Sequence, residues 1–582
     1  MLSFLFLLFA LCVQQIAAVD AVVDLGYAKY RGNQSTSGVS LWAGMRYARN
    51  PSRVDGMRFS APQDPVKADG IVNATKFGAI CIGTETKLTS ENDPKVSEDC
   101  LFANVFAPTN ATTESKLPVY VFIQGGGFGS NSNPNYDGTK LIQTSGMNMV
   151  VVNFNYRVGP YGFLASKEFT ENNTLSLNNG LKDQRQLLKW VKAHIEQFGG
   201  DPDHVTLGGA SAGGGSVIYQ LIAYGGRDDK LIHGAISESP ATPPMRNVDE
   251  SQWQYDALMK QLGCTDFDCL INKDAVTFQK AVTDLKQPYP GATNPPIFFW
   301  NPTLDNDFVE DYTYNEFANG HFLKVPTIIG DATNEGLGFT GKAVTSLKKA
   351  YTFIADQFPN LNTEDQAAVQ AIWAGPRDAT NSPQWRNLAA DIYGHIRYNC
   401  PGLNFSSSYA ENASVPTWQY RWNVGQALHV EELGSVWGSG KGASDQFVHS
   451  YWISFIRSFD PNKYPAKFTG GDFSSPNWEE FDINKNQRML FNGSNVVQME
   501  QVTNVELQRC NLISSLKLQQ SEQIAAQVDP QVPSLTPGGT SGTQKGGGSA
   551  SSSAATRSPT MAWTSILTFA AIMFGLLQWV NP

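Results

Sequence analysis

The chain has 582 residues, 41% of them hydrophobic and 16% charged, with a formal net charge of −10. That composition supports a large globular core and excludes a disordered or fibrous chain, and the negative balance argues against a nucleic-acid partner. Of seven cysteines, Cys12 lies in an N-terminal apolar run; Cys81, Cys100, Cys264, Cys269, Cys400 and Cys510 remain, an even set that suits disulfides in a pairing the spacing leaves open. No Cys–His cluster has zinc-ligand spacing, so no metal is expected.

The apolar run from Leu2 to Leu11, followed by Gln14 to Ala18, reads as a secretory signal over residues 1–18. It lacks Lys or Arg at its start and is too short to span a membrane. Export makes disulfides chemically permissible. It also gives meaning to Asn33, Asn73, Asn110, Asn172, Asn404, Asn412 and Asn492, each of which begins an N-x-S/T acceptor for glycosylation.

Val119 to Ile123 and Met149 to Tyr156 are nearly unbroken apolar runs, the pattern of central strands buried on both faces. Leu181, Gln184, Leu187, Leu188, Val191 and Ile195 then recur at helical spacing, and Phe198-Gly199-Gly200-Asp201-Pro202 stops that helix. Further strands are predicted at His204–Leu207, Gly234–Ser237, Val325–Ile329 and Thr417–Trp422. Strands alternating with helices predict an α/β fold with a mostly parallel central sheet flanked by helices, and with function at the carboxyl ends of the strands.

From about Val528 the composition shifts. Residues 528–550 are rich in Pro, Gly and Ser and read as linker. Residues 551–582 begin with small residues and a short polar spacer and end in an apolar tail from Met561 to Leu577. That order spells a signal for a glycosylphosphatidylinositol (GPI) anchor, with attachment around Ser549 to Ser553, so membrane contact is expected through a lipid anchor only. A spanning helix would usually carry Lys or Arg on its cytoplasmic side, and only Trp579-Val580-Asn581-Pro582 follows here.

Gly209-Ala210-Ser211-Ala212-Gly213 fits G-x-S-x-G, between a short strand and the helical stretch from Gly214 to Ile222. Strand, sharp turn and helix are the setting in which such a serine becomes an exposed nucleophile, the elbow of the α/β-hydrolase fold. A serine nucleophile needs a base, an acid to orient it and donors for an oxyanion. Downstream, Glu335 lies in the loop after Ile328-Ile329, with Asp331 as a local rival, and His429 lies in the loop after the Thr417–Trp422 strand. His395 and His449 fall on predicted helices, where a packed role is the default. Gln124-Gly125-Gly126-Gly127 follows a strand, and its glycines leave backbone N–H groups unobstructed. Gly126, Gly127 and Ala212 are therefore the candidate oxyanion donors.

In order along the chain, Met57-Arg58-Phe59, Ser97-Glu98-Asp99-Cys100-Leu101, Asn155-Tyr156-Arg157-Val158-Gly159, Gly180-Leu181-Lys182-Asp183-Gln184, Phe198-Gly199-Gly200-Asp201-Pro202 and Tyr451-Trp452 resemble blocks of the type-B carboxylesterase/lipase family, which includes the cholinesterases. The resemblance runs from about Val22 to about Cys510 within a domain bounded at residues 19–527. It implies an α/β-hydrolase, a Ser211–Glu335–His429 triad, and disulfides Cys81–Cys100, Cys264–Cys269 and Cys400–Cys510. It also implies structural ion pairs Arg58–Glu98 and Arg157–Asp183, and no cofactor. Ala210 stands where the family usually has Glu, which argues against a cationic substrate. Gln124 stands where it often has His. The segment between Cys81 and Cys100 is polar and carries no aromatic residue, unlike the apolar lid of lipases in the family or the tryptophan that serves cation recognition. The expected activity is a serine carboxylesterase acting on neutral esters of small to medium size. A lipase is the alternative, and a non-catalytic adhesion protein of the same fold a more distant one.

Overall fold

The computed structural model describes residues 18–516 except 92, 132–134, 375–382 and 494. Residues 1–17 of the expected signal, the linker at 528–550 and the anchor signal at 551–582 lie outside the described residues. Among the described residues no helix is long and apolar enough to cross a membrane.

One sheet of eleven strands organises the domain. In chain order they are β1 (Asn33–Gln34), β2 (Val39–Arg46), β3 (Phe102–Pro108), β4 (Leu117–Ile123), β5 (Val150–Phe154), β6 (Gly200–Ala210), β7 (Gly234–Glu238), β8 (Thr327–Ala332), β9 (Thr417–Asn423), β10 (Gln487–Asn492) and β11 (Val496–Gln501). Their order across the sheet is β11-β10-β9-β8-β7-β6-β4-β5-β3-β2-β1. From β5 to β10 the pairs are parallel. Antiparallel pairs close both edges. The expectation of a mostly parallel sheet holds. The edges are what the apolar runs did not mark: β10 and β11 form a hairpin in which β11 has no fully buried residue.

The alternation of side chains along a strand sorts the core into two layers. Val119, Val121 and Ile123 of β4 face one layer, with Leu187, Leu188 and Val191 of α1 (Asn179–His194) and Val217, Ile218 and Leu221 of α2 (Ala212–Gly226). Tyr120 and Phe122 of the same strand face the other layer. α1 ends where the sequence predicts: a short 3-10 turn runs to Phe198, and Gly199 takes the left-handed conformation that stops it.

A third apolar cluster lies over the helices that follow β8. There α3 (Pro383–Gly394) runs into one turn of π-helix (His395–Asn399) and then α4 (Cys400–Asn412). The second layer is completed by α5 (Ala443–Ser458), through Phe447, Val448, Tyr451, Trp452 and Phe455. α6 (Asn504–Ser515) closes the described chain. Disulfides join Cys81 to Cys100, Cys264 to Cys269 and Cys400 to Cys510, as the resemblance implies. The implied ion pairs also form: Arg58 reaches Glu98 at 2.6 Å and Arg157 reaches Asp183 at 2.7 Å, all four side chains buried.

The Cys400–Cys510 bridge closes a loop 110 residues long and fixes α6 to the start of α4. Replacing both cysteines by serine is expected to lower unfolding free energy by about 2–5 kcal/mol. Urea denaturation of the purified domain measures it; an unchanged midpoint would show that the packing of α6 alone holds this end of the chain.

Candidate active site

Ser211 is the pivot between β6 and α2. Its backbone sits at φ 60°, ψ −123°, a region costly for any residue with a β-carbon. Close contacts on both sides hold it there. A methyl at Gly209 would collide with the Gly213 carbonyl, and one at Gly213 with the Ile123 carbonyl at the end of β4. Backbone bonds tie the turn to the neighbouring strand: the Ser211 N–H donates to the Glu238 carbonyl at 2.9 Å, and the Ala241 N–H donates to the Ser211 carbonyl at 3.0 Å.

The Ser211 Oγ lies 2.7 Å from His429 Nε2, and His429 Nδ1 is hydrogen-bonded to Glu335 Oε2. A carboxylate oxygen accepts, so Nδ1 carries the proton and Nε2 is left to accept from the serine hydroxyl. The Glu335 side chain is wholly buried and that of His429 8% exposed. Glu335 Oε1 accepts two further bonds, from the Ala332 N–H at 2.6 Å and the Ser239 Oγ at 2.7 Å. All acceptor directions needed to aim Oε2 at the imidazole are thus fixed. Asp331, the rival acid, is turned elsewhere: its Oδ1 accepts from Asn399 Nδ2 at 2.6 Å, and burial pushes its carboxyl well above the usual range. His449 and His395 are held by the carbonyls of Val436 and Asp391.

The glycine loop lies against the elbow. Gly126 and Gly127 have φ of 123° and 62°, and a methyl at Gly125 would come within 2.9 Å of the Ser211 Cβ. A methyl at Gly127 would strike the ring of Phe298, so that ring lies directly on the glycine. Gln124 is buried behind the loop, donating to Asn131 Oδ1 at 2.7 Å and to the Phe154 carbonyl at 3.2 Å. Gly125 therefore packs against Ser211, with Gly126 and Gly127 following it in the loop and Ala212 following Ser211 in the chain.

Four further residues, Ser239, Phe298, Phe339 and Tyr398, reach the site. Ser239 stands one residue past β7 and has φ 47°. Phe339 and Tyr398 flank the imidazole, with ring centroids 5.1 and 4.3 Å from that of His429. Phe298 touches Phe339 at 5.7 Å. Ser239 and Phe298 carry a signal in the sequence, the first beside Pro240 just past a strand and the second in the aromatic run Phe298-Phe299-Trp300, while Phe339 and Tyr398 carry none.

Below this surface lie two acids. Glu238 accepts from Trp452 Nε1 at 3.1 Å, and Glu432 accepts from the Tyr420 hydroxyl at 2.7 Å. Burial, then the charge of Glu335, push the Glu432 carboxyl up to about 8. Burial, then Glu432, push Glu238 well up. Ala210 is buried in the apolar layer on this side of the sheet, so the position that usually carries Glu in the family adds no carboxylate to the pair.

A parallel sheet, a strained serine at a strand–helix elbow, and a histidine and acid from later strand ends define an α/β-hydrolase. The sequence profile of the Carboxylesterase family matches residues 19–512, and the chain belongs to that family of carboxylic ester hydrolases. It is 30% identical to "Secreted lipase 4" of Gibberella zeae, covering 76% of this chain and 82% of that protein. It is 31% identical to "Para-nitrobenzyl esterase" of Bacillus subtilis, covering 76% and 90%. Among solved structures it matches Aspergillus niger EstA with a TM-score of 0.79 and 37% identity over 87% of this chain and 99% of that one.

Two predictions follow from the bonding. Ser239→Ala removes one of two donors on Glu335 Oε1, and kcat for ester hydrolysis is expected to fall roughly ten- to a hundredfold, the size of a charged hydrogen bond of about 1.5–3 kcal/mol. A variant as fast as the parent would show that the Ala332 N–H suffices. Glu432 titrates at about 8 in the folded chain against an ordinary 4.5. Above the ordinary value the unfolded chain ionises first, so stability is lost as pH rises from about 4.5 through about 8. Glu432→Gln removes that loss, and its urea midpoint relative to the parent is expected to climb between pH 5 and pH 8; a constant difference would place the ionisation elsewhere.

Proposed function

We propose that the chain is a secreted serine carboxylesterase in which Ser211 is the nucleophile, His429 the general base and acid, and Glu335 the orienting carboxylate. The observation that carries the reading is the continuous chain of bonds from Glu335 through His429 to the Ser211 Oγ. His429 Nε2 takes the hydroxyl proton as Oγ attacks the ester carbonyl. The N–H groups of Gly126, Gly127 and Ala212 hold the oxyanion of the tetrahedral intermediate. His429 then gives its proton to the leaving alcohol, and a water deprotonated by the same nitrogen releases the acid. Every group in this cycle belongs to the chain, and the reading calls for no cofactor.

The substrate is an ester of small to medium size without a cationic group. Ala210 supports the second part. The segment between Cys81 and Cys100 supports the first, because it is fastened down rather than poised to open. The Thr84 N–H donates to the Gly129 carbonyl at 2.8 Å, and Gln279 Nε2 donates to the carbonyls of Gly83, Thr84 and Thr86. Arg58–Glu98 and Arg53–Glu91 fix its far half. An interfacial lipase exposes an apolar face when its lid moves, and this polar, pinned segment offers none. The lipase alternative keeps its support from the relatives named as lipases.

Those secreted fungal relatives support an extracellular site of action. The N-terminal signal and the C-terminal GPI signal extend that reading to a cell surface. Asn33, Asn73, Asn110 and Asn412 are exposed and suited to carry glycans, while Asn172 is half-buried. Asn404 is half-buried on α4 with its Nδ2 donating to Ser514 Oγ, and Asn492 accepts from Asn423 within β10, so both are poorer acceptors.

The purified ectodomain, assayed on esters from acetyl to long-chain acyl groups, is expected to hydrolyse short soluble esters with no jump in rate above their solubility limit. Ser211→Ala is expected to lower kcat by roughly 10⁴–10⁶. Activity confined to emulsified long-chain esters would make the protein a lipase. A folded domain that hydrolyses no ester and leaves Ser211 unlabelled by a fluorophosphonate would remove the catalytic reading.

A further inference from the structure

Among the described residues six arginines are buried: Arg58, Arg157, Arg185, Arg246, Arg397 and Arg488. Four of them face carboxylates, namely Arg58 on Glu98, Arg157 on Asp183, Arg185 on Asp229, and Arg488 on Glu500 and Glu506. Arg246 and Arg397 face none among the described residues. The Nε and Nη2 of Arg397 and the Nε and Nη1 of Arg246 have no hydrogen-bond partner there, although the two residues are only 3% and 5% exposed. Nη2 of Arg246 donates to Gln254 Oε1 at 3.3 Å. A guanidinium keeps its charge in a protein, and a buried charge without a counter-charge is destabilising by several kcal/mol. Four of these six arginines obey that rule and two break it in the same place.

That place adjoins the serine. The Arg397 guanidinium lies 4.7 Å from the centre of the Phe298 ring, and Phe298 lies on Gly127. The Arg397 carbonyl accepts from the Thr242 N–H at 3.1 Å, one residue beyond Ala241, whose N–H holds the Ser211 carbonyl. The next residue, Tyr398, packs on His429. Arg246 stacks on Tyr289 at 4.8 Å, and the Tyr289 hydroxyl donates to the Phe298 carbonyl at 3.4 Å. The ionisable groups that act most on Arg397 are the phenols of Tyr393, Tyr398 and Tyr289. The hydroxyls of Tyr393 and Tyr398 lie within reach of each other, and that of Tyr398 within reach of the guanidinium. The neighbourhood carries two positive charges and free N–H donors, and among the described residues no carboxylate is paired with either.

We propose that Arg397, backed by Arg246, binds a carboxylate carried by the ester itself, so that the preferred substrates are esters with one anionic group on the part of the molecule that does not react. The proposal rests on the esterase reading above and adds the charge of the substrate. The sequence led to a neutral ester because it lacks the groups that recognise a cation. Two unpaired guanidiniums behind the ring that covers Gly127 turn that absence into a preference of the opposite sign, and a planar carboxylate can take two parallel N–H bonds from the free Nε and Nη2 of Arg397.

The test uses two pairs of esters that differ only in charge. Monoethyl succinate and ethyl succinamate place the carboxylate or its amide on the acyl half; O-acetylglycolate and its amide place it on the alcohol half. In the unmodified enzyme kcat/KM for the carboxylate is expected to exceed that for the amide by at least tenfold in one pair, and which pair shows it assigns the half. In Arg397→Met that ratio is expected to fall to within threefold of unity. Because that variant removes a core side chain, the unmodified enzyme supplies a second reading: free succinate should compete at least tenfold more strongly than succinamide. Amides hydrolysed as fast as carboxylates in both pairs, with no difference in competition, would overturn the proposal while leaving the esterase standing. Failure to hydrolyse any of the four, or any neutral short-chain ester, would overturn the esterase reading itself.

Discussion

The backbone of Ser211 cannot relax. A residue with a β-carbon at φ 60°, ψ −123° persists only where its surroundings forbid the alternatives. Here they do so from three directions: the Gly213 carbonyl against Gly209, the end of β4 against Gly213, and the strand end at Glu238 that accepts the Ser211 N–H. The strain directs the hydroxyl out of the sheet at the start of α2, where the Ala212 N–H and the glycine loop after β4 meet it. The order of strands around β6 follows from this need. Its neighbours β4 and β7 supply the oxyanion loop and Ser239, and the strands beyond β7 supply Glu335 and His429.

Charge is distributed around that turn with an asymmetry that matters for the chemistry. On one side lie Glu335 and the two buried acids, Glu432 and Glu238, whose raised pKa values keep them from adding full negative charge beside the imidazole near neutral pH. The unpaired guanidiniums lie behind the Phe298 ring that covers Gly127. In the proposed cycle the Glu335 carboxylate would favour the developing imidazolium and the loop N–H groups the developing oxyanion.

How much of this was legible in the sequence depends on range. The apolar runs of β4 and β5, the helix at α1 and the glycines around Ser211 are local signals, and each element lies where its own residues place it. Glu335 and His429 were readable because the hydrolase order puts an acid and a histidine in loops after later strands, and the bonding favours Glu335 over Asp331. The edge strands were not legible: β1 has two residues, and β11 is too exposed to carry a clear pattern. Nor were Phe339, Tyr398 and Arg397. They come from loops and a π-helical turn whose approach to Ser211 depends on tertiary packing across more than a hundred residues of sequence. An arginine in a string gives no sign of whether a carboxylate will meet it.

The bridge between Cys400 and Cys510 has a mechanical consequence. The chain continues beyond the last described helix, and traction on that continuation enters the domain through α6. Without the bridge, α6 would peel away turn by turn, each side chain resisting alone. With it, tension passes through sulfur to the start of α4, one residue from Asn399, which holds Asp331 and the Ala332 carbonyl at the end of β8. A tethered molecule pulled from its carboxyl end would therefore bear the load on the central sheet, and shear of parallel strands, rather than unzipping of a helix, would set the force it withstands.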